Sequence, residues 1–364
     1  MSLKIAERSL ASMRPLIITA NIRGECCESE WSVGAGLGQV GDLVVGNVIT
    51  APGQEIVILD QDRKPHEVTG TRRVLTVMGP RDSSTHVCAT IPPGGLQINQ
   101  DTVAHWVAGE SGIVGCLERE APVNSIHATE SAVDFRLDGL VLNADGRAIN
   151  IRDFSVQPQQ AKSSKPVVFV GATSTESGKT VLAGELIRQL TNKGVRVGAL
   201  KVTGTGGVLD SLVHSQSGAV AVLDNVDAGL ISTHCDTADF RERIPLIFRQ
   251  MDDLDVDLII AELGGDLLSA NNPEVFALSE LMDNALMLIV ISNDALAAAG
   301  VVAMNNTQFG FSTSNIRHFT SPFRNHAGMA RRMKMAGIPD CYDPVSTGDI
   351  ARIVAQVTHQ LDHY

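Results

Sequence analysis

The chain has 364 residues, 44% of them hydrophobic and 19% charged, with a formal net charge of −12. That length accommodates two domains, and the composition is that of a soluble globular protein. An acidic chain offers no basic field to attract nucleic acid or an anionic membrane surface, so no nucleic-acid and no membrane partner is expected. No apolar run is long enough to span a bilayer, which leaves the expectation of a cytoplasmic protein that takes a small-molecule substrate and forms a homo-oligomer.

Residues 15–154 carry short apolar runs separated by Gly, Pro, Asn and Asp. Asp42–Ile49, Glu55–Leu59, Arg73–Val77 and Gly139–Leu142 read as strands, and Thr102–Gly109 as a helical interruption. Short strands with frequent turn signals predict an all-β, barrel-like N-terminal domain over 1–154. Within it, Gly36-Leu-Gly-Gln-Val-Gly41 matches the G-x-G-x-x-G pattern but leads into a strand-like run instead of a helix. A glycine-rich turn is the better reading than a dinucleotide fingerprint. The cysteines, Cys26, Cys27, Cys88, Cys116, Cys235 and Cys341, form no C-x-x-C pair and read as reduced thiols. Cys26-Cys27 is the one unusual spacing.

Residues 155–165 are polar, contain Pro158 and lack an apolar period, as in a linker. From 166 to 364 strand and helix patterns alternate. Strands are expected at 166–170, 195–201, 257–262, 286–292 and 316–320. Helices are expected at 179–193, 238–253, 273–284, 294–304, 325–336 and 347–361. This alternation predicts an α/β domain with a mostly parallel sheet, whose ligands bind at the carboxyl ends of the strands. Arg331, Arg332 and Lys334 fit a solvated helix face.

The chemistry concentrates in Val167-Val-Phe-Val-Gly-Ala-Thr-Ser-Thr-Glu-Ser-Gly-Lys-Thr-Val181. An apolar strand, a small polar loop, Gly-Lys-Thr and a helix-forming run make a phosphate loop, although Thr173 stands where G-x-x-x-x-G-K-[ST] has its first glycine. Backbone amides and the helix N-terminus would cradle a polyphosphate, Lys179 would reach its terminal phosphates, and Thr180 would ligate Mg²⁺. Lys201 ends the second strand of this half and is placed to meet an anionic substrate or a transferring phosphoryl group. Glu262 ends a strongly apolar strand as a second metal contact. Asp210 is a third candidate, in competition with Asp224, Asp227 and Asp236.

Thr173–Val181 resembles the phosphate loop of dethiobiotin synthetase, with its Thr-Asp-Thr-Glu-Val-Gly-Lys-Thr pattern. Lys201, Thr205, Asp210 and Glu262 follow in that family's order, and the resemblance runs from Pro166 to about Ser292. It implies a P-loop NTPase fold and an ATP- and Mg²⁺-dependent ligase or kinase for a small carboxylate or amine. By the same resemblance Thr175, Glu176, Ser177, Gly178, Lys179, Thr180 and Val181 would contact ATP. Thr180, Asp210 and Glu262 would hold Mg²⁺, Lys179 and Lys201 would be catalytic, and Thr205 would touch substrate. Two departures stand out: Val202 replaces the family's proline, and Glu262-Leu-Gly-Gly-Asp266 replaces its Glu-Gly-Ala-Gly-Gly. The chain also resembles two-domain proteins that place an accessory domain before a dethiobiotin-synthetase-like core. A nucleotide-dependent regulator or assembly factor is the alternative, and a polynucleotide or nucleoside kinase is disfavoured by the charge. The absence of an Asn-Lys-x-Asp guanine motif favours ATP.

Overall fold

The computed structural model describes residues 16–23, 31–83, 85–99, 102–107, 109–121, 132–322 and 327–364. Cys26-Cys27 lies outside them. The chain divides into two compact units, the first formed by Met1–Ser155, Thr205–Val208 and Val226–His234, the second by Val156–Gly204, Leu209–Asn225 and Cys235–Tyr364. The division is therefore not a single cut. Two short segments from the sequence of the C-terminal half belong to the N-terminal unit.

Unit 1 contains β1 (Ile17–Ile18), β2 (Ser32–Gly34), β3 (Gly36–Gly38), β4 (Leu43–Ile49), β5 (Ile56–Leu59) and β6 (Pro65–Val68). It continues with β7 (Thr71–Met78), β8 (Cys88–Thr90), β9 (Leu96–Ile98), β10 (Val103–Trp106), β11 (Ile113–Arg119) and β12 (Val133–Leu142). The main sheet runs β1-β7-β4-β12-β10-β11-β8, with β2 on β12. Pairing of β7 with β11 brings the hydrogen-bonded path back to β7. The β1–β7 and β7–β11 pairs are parallel and the others antiparallel, so the sheet is mixed.

Successive side chains of a strand point to opposite faces, and β4 shows the consequence. Leu43 and Val45 enter one apolar cluster with Leu75 and Val77 of β7, while Val44 and Val48 enter another with Val74 and Met78. Both faces are buried, which explains the nearly continuous apolar reading of these strands. Trp106 and Phe135 stack with ring centroids 6.2 Å apart in the second cluster.

Of the expected helix Thr102–Gly109, Thr102–Val107 is not helical, and Gly109 opens a one-turn 3-10 helix, Gly109–Ser111. Val103–Trp106 is a strand between β11 and β12, with Ala104 and Trp106 buried and Val103 exposed. Its period is two, and too few residues separate the flanking turns for a helix to bury a face. Gly36–Gly38 pairs antiparallel with β9, and β4 follows Gly41 without a helix. The motif is thus a short strand ending in a turn at Val40-Gly41, and lacks the strand-to-helix context of a dinucleotide fingerprint.

Unit 2 holds β13 (Val167–Ala172), β14 (Val197–Lys201), β15 (Ala221–Asp224), β16 (Leu258–Glu262), β17 (Ala285–Ser292), β18 (Ile316–Thr320) and β19 (Cys341–Tyr342). All pair in parallel, in the order β15-β14-β16-β13-β17-β18-β19. The helices are α1 (Lys179–Thr191), α2 (Val208–Gln216, whose first residue is grouped with unit 1), α3 (Thr237–Asp253), α4 (Asn272–Ala277), α5 (Ser279–Met282), α6 (Ala295–Met304), α7 (Ala327–Met335) and α8 (Thr347–Leu361). α1 and α8 turn Leu182, Leu186 and Leu190, and Ile350, Ile353, Val354 and Val357, into one cluster with the sheet. These spacings of three and four residues make the buried stripe of a surface helix.

Sequence periodicity misses α2, β15 and β19, and the segment expected as one helix over 273–284 is the pair α4 and α5. Leu278 breaks it with an extended backbone, φ −86° and ψ 102°. The expected linker is also tied down. The amides of Gln159, Ser163 and Ser164 donate to Asp253, Glu280 and Asp252 within unit 2. Arg331, Arg332 and Lys334 are exposed around the buried Met333 of α7. Among the described residues no helix is long and apolar enough to cross a membrane.

Candidate functional site

β13 delivers the chain to the carboxyl edge of the sheet, where Thr173–Gly178 turns into α1. Glu176 and Gly178 take positive φ, 55° and 93°. At Gly178 an added Cβ would also sit 3.0 Å from Pro322 Cγ, so glycine is required on both counts. Thr173 stands in the place of the usual glycine without strain. Its amide donates to Ile291 O, and its hydroxyl accepts from the Asn293 amide at 3.2 Å. Asn293 Nδ2 also donates to Ser174 Oγ at 2.5 Å, and the buried Ser177 hydroxyl donates to Ser174 O at 2.8 Å. The first turn of α1 has no side-chain cap, so its amides and the helix dipole stand open to an anion. Thr175 and Glu176 lie on the loop, Glu176 exposed, and Val181 is exposed at the start of α1.

Lys179 opens α1. Its side chain is buried, and Nζ donates to Ser174 O at 3.0 Å and Gly265 O at 2.7 Å. Desolvation, with the nearby Lys201 charge second, lowers its pKa from 10.5 to about 8. The ammonium is held by two neutral carbonyls instead of an acid, an arrangement that an incoming polyphosphate can replace.

Beside it lies a charged cluster. Thr180 Oγ1 is 2.8 Å from both Asp210 Oδ1 and Glu262 Oε1. Lys201 Nζ is 2.6 Å from Glu262 Oε1 and 2.7 Å from Asp210 Oδ2. The parallel register pairs Lys201 and Val170 with Glu262, which fixes the strand ends side by side. Burial alone would raise the carboxyl pKa of Glu262, but Lys201 and His214 outweigh it and hold the group well below the ordinary range. Burial likewise disfavours the Lys201 ammonium, and Asp210 and Glu262 reverse this and raise its pKa. Thr180 has one hydroxyl proton for two carboxylate neighbours; a cation between them removes the shortfall, and here Lys201 supplies it.

The cluster brings together Thr180, Lys201, Asp210 and Glu262 as the sequence suggested. The competing acids have other partners: Asp224 accepts from Ser211 Oγ at 3.0 Å, Asp227 pairs with Arg23, and Asp236 caps α3. Thr205 is not part of the cluster. It belongs to unit 1, where it bridges to Ser232. Two residues were missed. Asn293 follows β17 and braces the loop, with no motif to announce it. His214 on α2 reaches Glu262 Oε2 through Nε2 at 2.9 Å; its signal was the i, i+4 spacing from Asp210, legible only once α2 is recognised.

Among the described residues no group of three or more His, Cys, Asp or Glu is arranged to hold a metal. The Thr180–Asp210–Glu262 set has a hydroxyl and two carboxylates. That suits Mg²⁺, which takes one or two carboxylates and completes its shell with phosphate oxygens and water. Oxygen ligands at the usual Mg²⁺ distance lie about 2.9 Å apart along an octahedral edge, close to the 2.8 Å separations around Thr180.

A family model described as MobB, molybdopterin guanine dinucleotide synthesis protein B, matches residues 167–265. No curated protein matches the chain. Three similar solved structures span about half of it. The signal recognition particle receptor FtsY from Elizabethkingia anophelis in complex with GDP is 16% identical, covers 52% of this chain and 58% of its own, and has a TM-score of 0.33. A ParA family ATPase from Chlorobium tepidum TLS is 13% identical over 54% of this chain and 97% of its own, TM-score 0.33. The hydrogenase maturation factor HypB from Archaeoglobus fulgidus is 15% identical over 54% and 90%, TM-score 0.28. This chain thus spans 58% of the length of the FtsY chain. The match supports a MobB-like, nucleotide-binding P-loop domain over residues 167–265.

Proposed function

We propose that the protein is an Mg-ATP-dependent enzyme that passes the γ-phosphoryl group to a small carboxylate or amine, as a ligase or kinase of the dethiobiotin synthetase-like class would. The observation that carries this reading is the Thr180 hydroxyl set between Asp210 and Glu262, one residue from a buried, neutrally capped Lys179. A polyphosphate on the loop would draw Lys179 from its two carbonyls. Mg²⁺ held by Thr180, Asp210 and Glu262 would neutralise charge on the β- and γ-phosphates. Lys201, released from the carboxylates, would have the reach and charge to steady the transferred group. Unit 1, whose strand path returns to β7 as in a small barrel, would help select the substrate.

A regulator whose nucleotide state controls a protein partner is the second reading. What favours it is that Thr205–Val208, bracketed by Lys201 and Asp210 in the chain, is grouped with unit 1. ADP release that requires a small molecule supports the enzyme; slow hydrolysis accelerated by a protein supports the regulator. The common premise is tested by Lys179→Ala with a fluorescent ATP analogue, and competition by GTP reports base preference. Binding should be lost while the circular dichroism spectrum is kept. Unchanged affinity and hydrolysis would overturn the phosphate-loop assignment.

A further inference from the structure

Glu262 ends β16 fully buried, and both its oxygens are engaged. Oε1 faces Thr180 and Lys201, whereas Oε2 has His214. His214 is itself fully buried, and among the described residues its other ring nitrogen, Nδ1, has no hydrogen-bond partner. An ordinary core histidine satisfies both nitrogens, and an apolar side chain would fill the same space without stranding one. The hydrogen bond to Glu262 Oε2 is therefore the polar role this ring serves. It requires a proton on Nε2, donated to the carboxylate.

α2 presents Asp210 and His214 at i and i+4, on one face of one helix. A single element thus supplies one carboxylate to the cluster and orients the other. We propose that His214 is a positioning residue for divalent-cation binding. By holding Oε2 it keeps Oε1 aimed at Thr180, and it continues to do so when the Lys201 ammonium gives way to the metal. The inference rests on the Mg-nucleotide reading above and names a residue that reading does not need.

The test measures the Mn²⁺ concentration that half-saturates the protein, by electron paramagnetic resonance, and nucleotide affinity with and without chelator. In His214→Leu the half-saturating Mn²⁺ should rise about 10- to 100-fold, the range for residues that orient metal ligands. Affinity for metal-free nucleotide should stay within about twofold, and His214→Gln, which keeps an N–H donor, should recover most of the loss. Wild-type Mn²⁺ dependence in folded His214→Leu overturns the proposal. Should that variant fail to fold, His214→Ala, which also lacks the N–H donor, is compared in the native and Glu262→Gln backgrounds. A shift in Mn²⁺ dependence that vanishes with Glu262→Gln supports the role, and an equal shift in both backgrounds refutes it. If the wild-type protein binds no nucleotide at all, the P-loop reading fails, an outcome distinct from a metal-dependent wild type with silent His214 variants.

Discussion

Replacing Lys201 by methionine tests how the charged cluster is held together. The substitution keeps most of the volume and removes the ammonium that lies 2.6 Å from Glu262 and 2.7 Å from Asp210. Stripping one partner from a buried ion pair costs about 3–5 kcal/mol, because a charge is left uncompensated. Two features of this site place the cost at the low end. Asp210 is one-third exposed and can turn to water, and Glu262 retains His214. A loss of about 3 kcal/mol corresponds to a fall in Tm of about 6–12 °C for a unit of 150–250 residues. The deficit is a missing cation, so Mg²⁺ without nucleotide should restore the lost stability. At a hundredfold excess over its Kd it contributes about 2.7 kcal/mol. The wild-type protein, in which the ammonium already fills that role, should respond less and at higher Mg²⁺. Thermal melts of both proteins against MgCl₂ and chelator decide the matter. A wild-type Tm in Lys201→Met, or a lowered Tm that Mg²⁺ leaves unmoved, would refute the argument.

Thr180→Ala and Glu262→Gln should each raise the Mg²⁺ needed for nucleotide binding by at least about tenfold, since even residues behind a metal ligand carry that much; a metal titration of nucleotide affinity checks it. His318, buried on β18, has its pKa lowered from 6.5 to about 4 by desolvation. The unfolded chain takes up that proton first, so this stability is complete above about 6.5 and is lost as pH falls towards 4, a total of about 3 kcal/mol. In urea unfolding, the stability difference between the wild type and His318→Leu should shrink in the wild type's disfavour by about 2–3 kcal/mol from pH 7 to 4.5; a constant difference would count against it. Residues 1–154 expressed alone should not fold stably. Val208, Val226 and Ile231 belong to the buried clusters of unit 1, and three such side chains contribute roughly 4–9 kcal/mol, comparable to a whole domain's stability. Cooperative unfolding of that fragment would contradict this.

What the sequence made legible follows the strength of local signals. The parallel strands of unit 2 are runs such as Leu258-Ile-Ile-Ala261, buried on both faces, and their ends could be read to within a residue or two. The carboxyl-edge residues Lys201 and Glu262 were legible for the same reason. Each is a lone charge terminating an apolar run, and a parallel sheet brings such ends into register. α2 was not legible. It begins beside the Gly-Thr loop and is short, so neither its cap nor its period stands out, and with it went His214. The surroundings of Thr205, implied as a substrate contact by the resemblance alone, could not be read from the sequence: Asn21 Nδ2 and the Ser111 hydroxyl both donate to Gly206 O, and the Gly206 amide donates to Ile231 O.

Those bonds join residues far apart in sequence, which no local pattern can announce. The segments after β14 and β15 leave the NTPase sheet at the strand ends that carry Lys201 and Asp224, and they are counted with unit 1. Only three residues lie between Lys201 and Thr205, and one lies between Val208 and Asp210. The same short connection explains why composition alone drew one boundary at 155–165 where the chain crosses more than once.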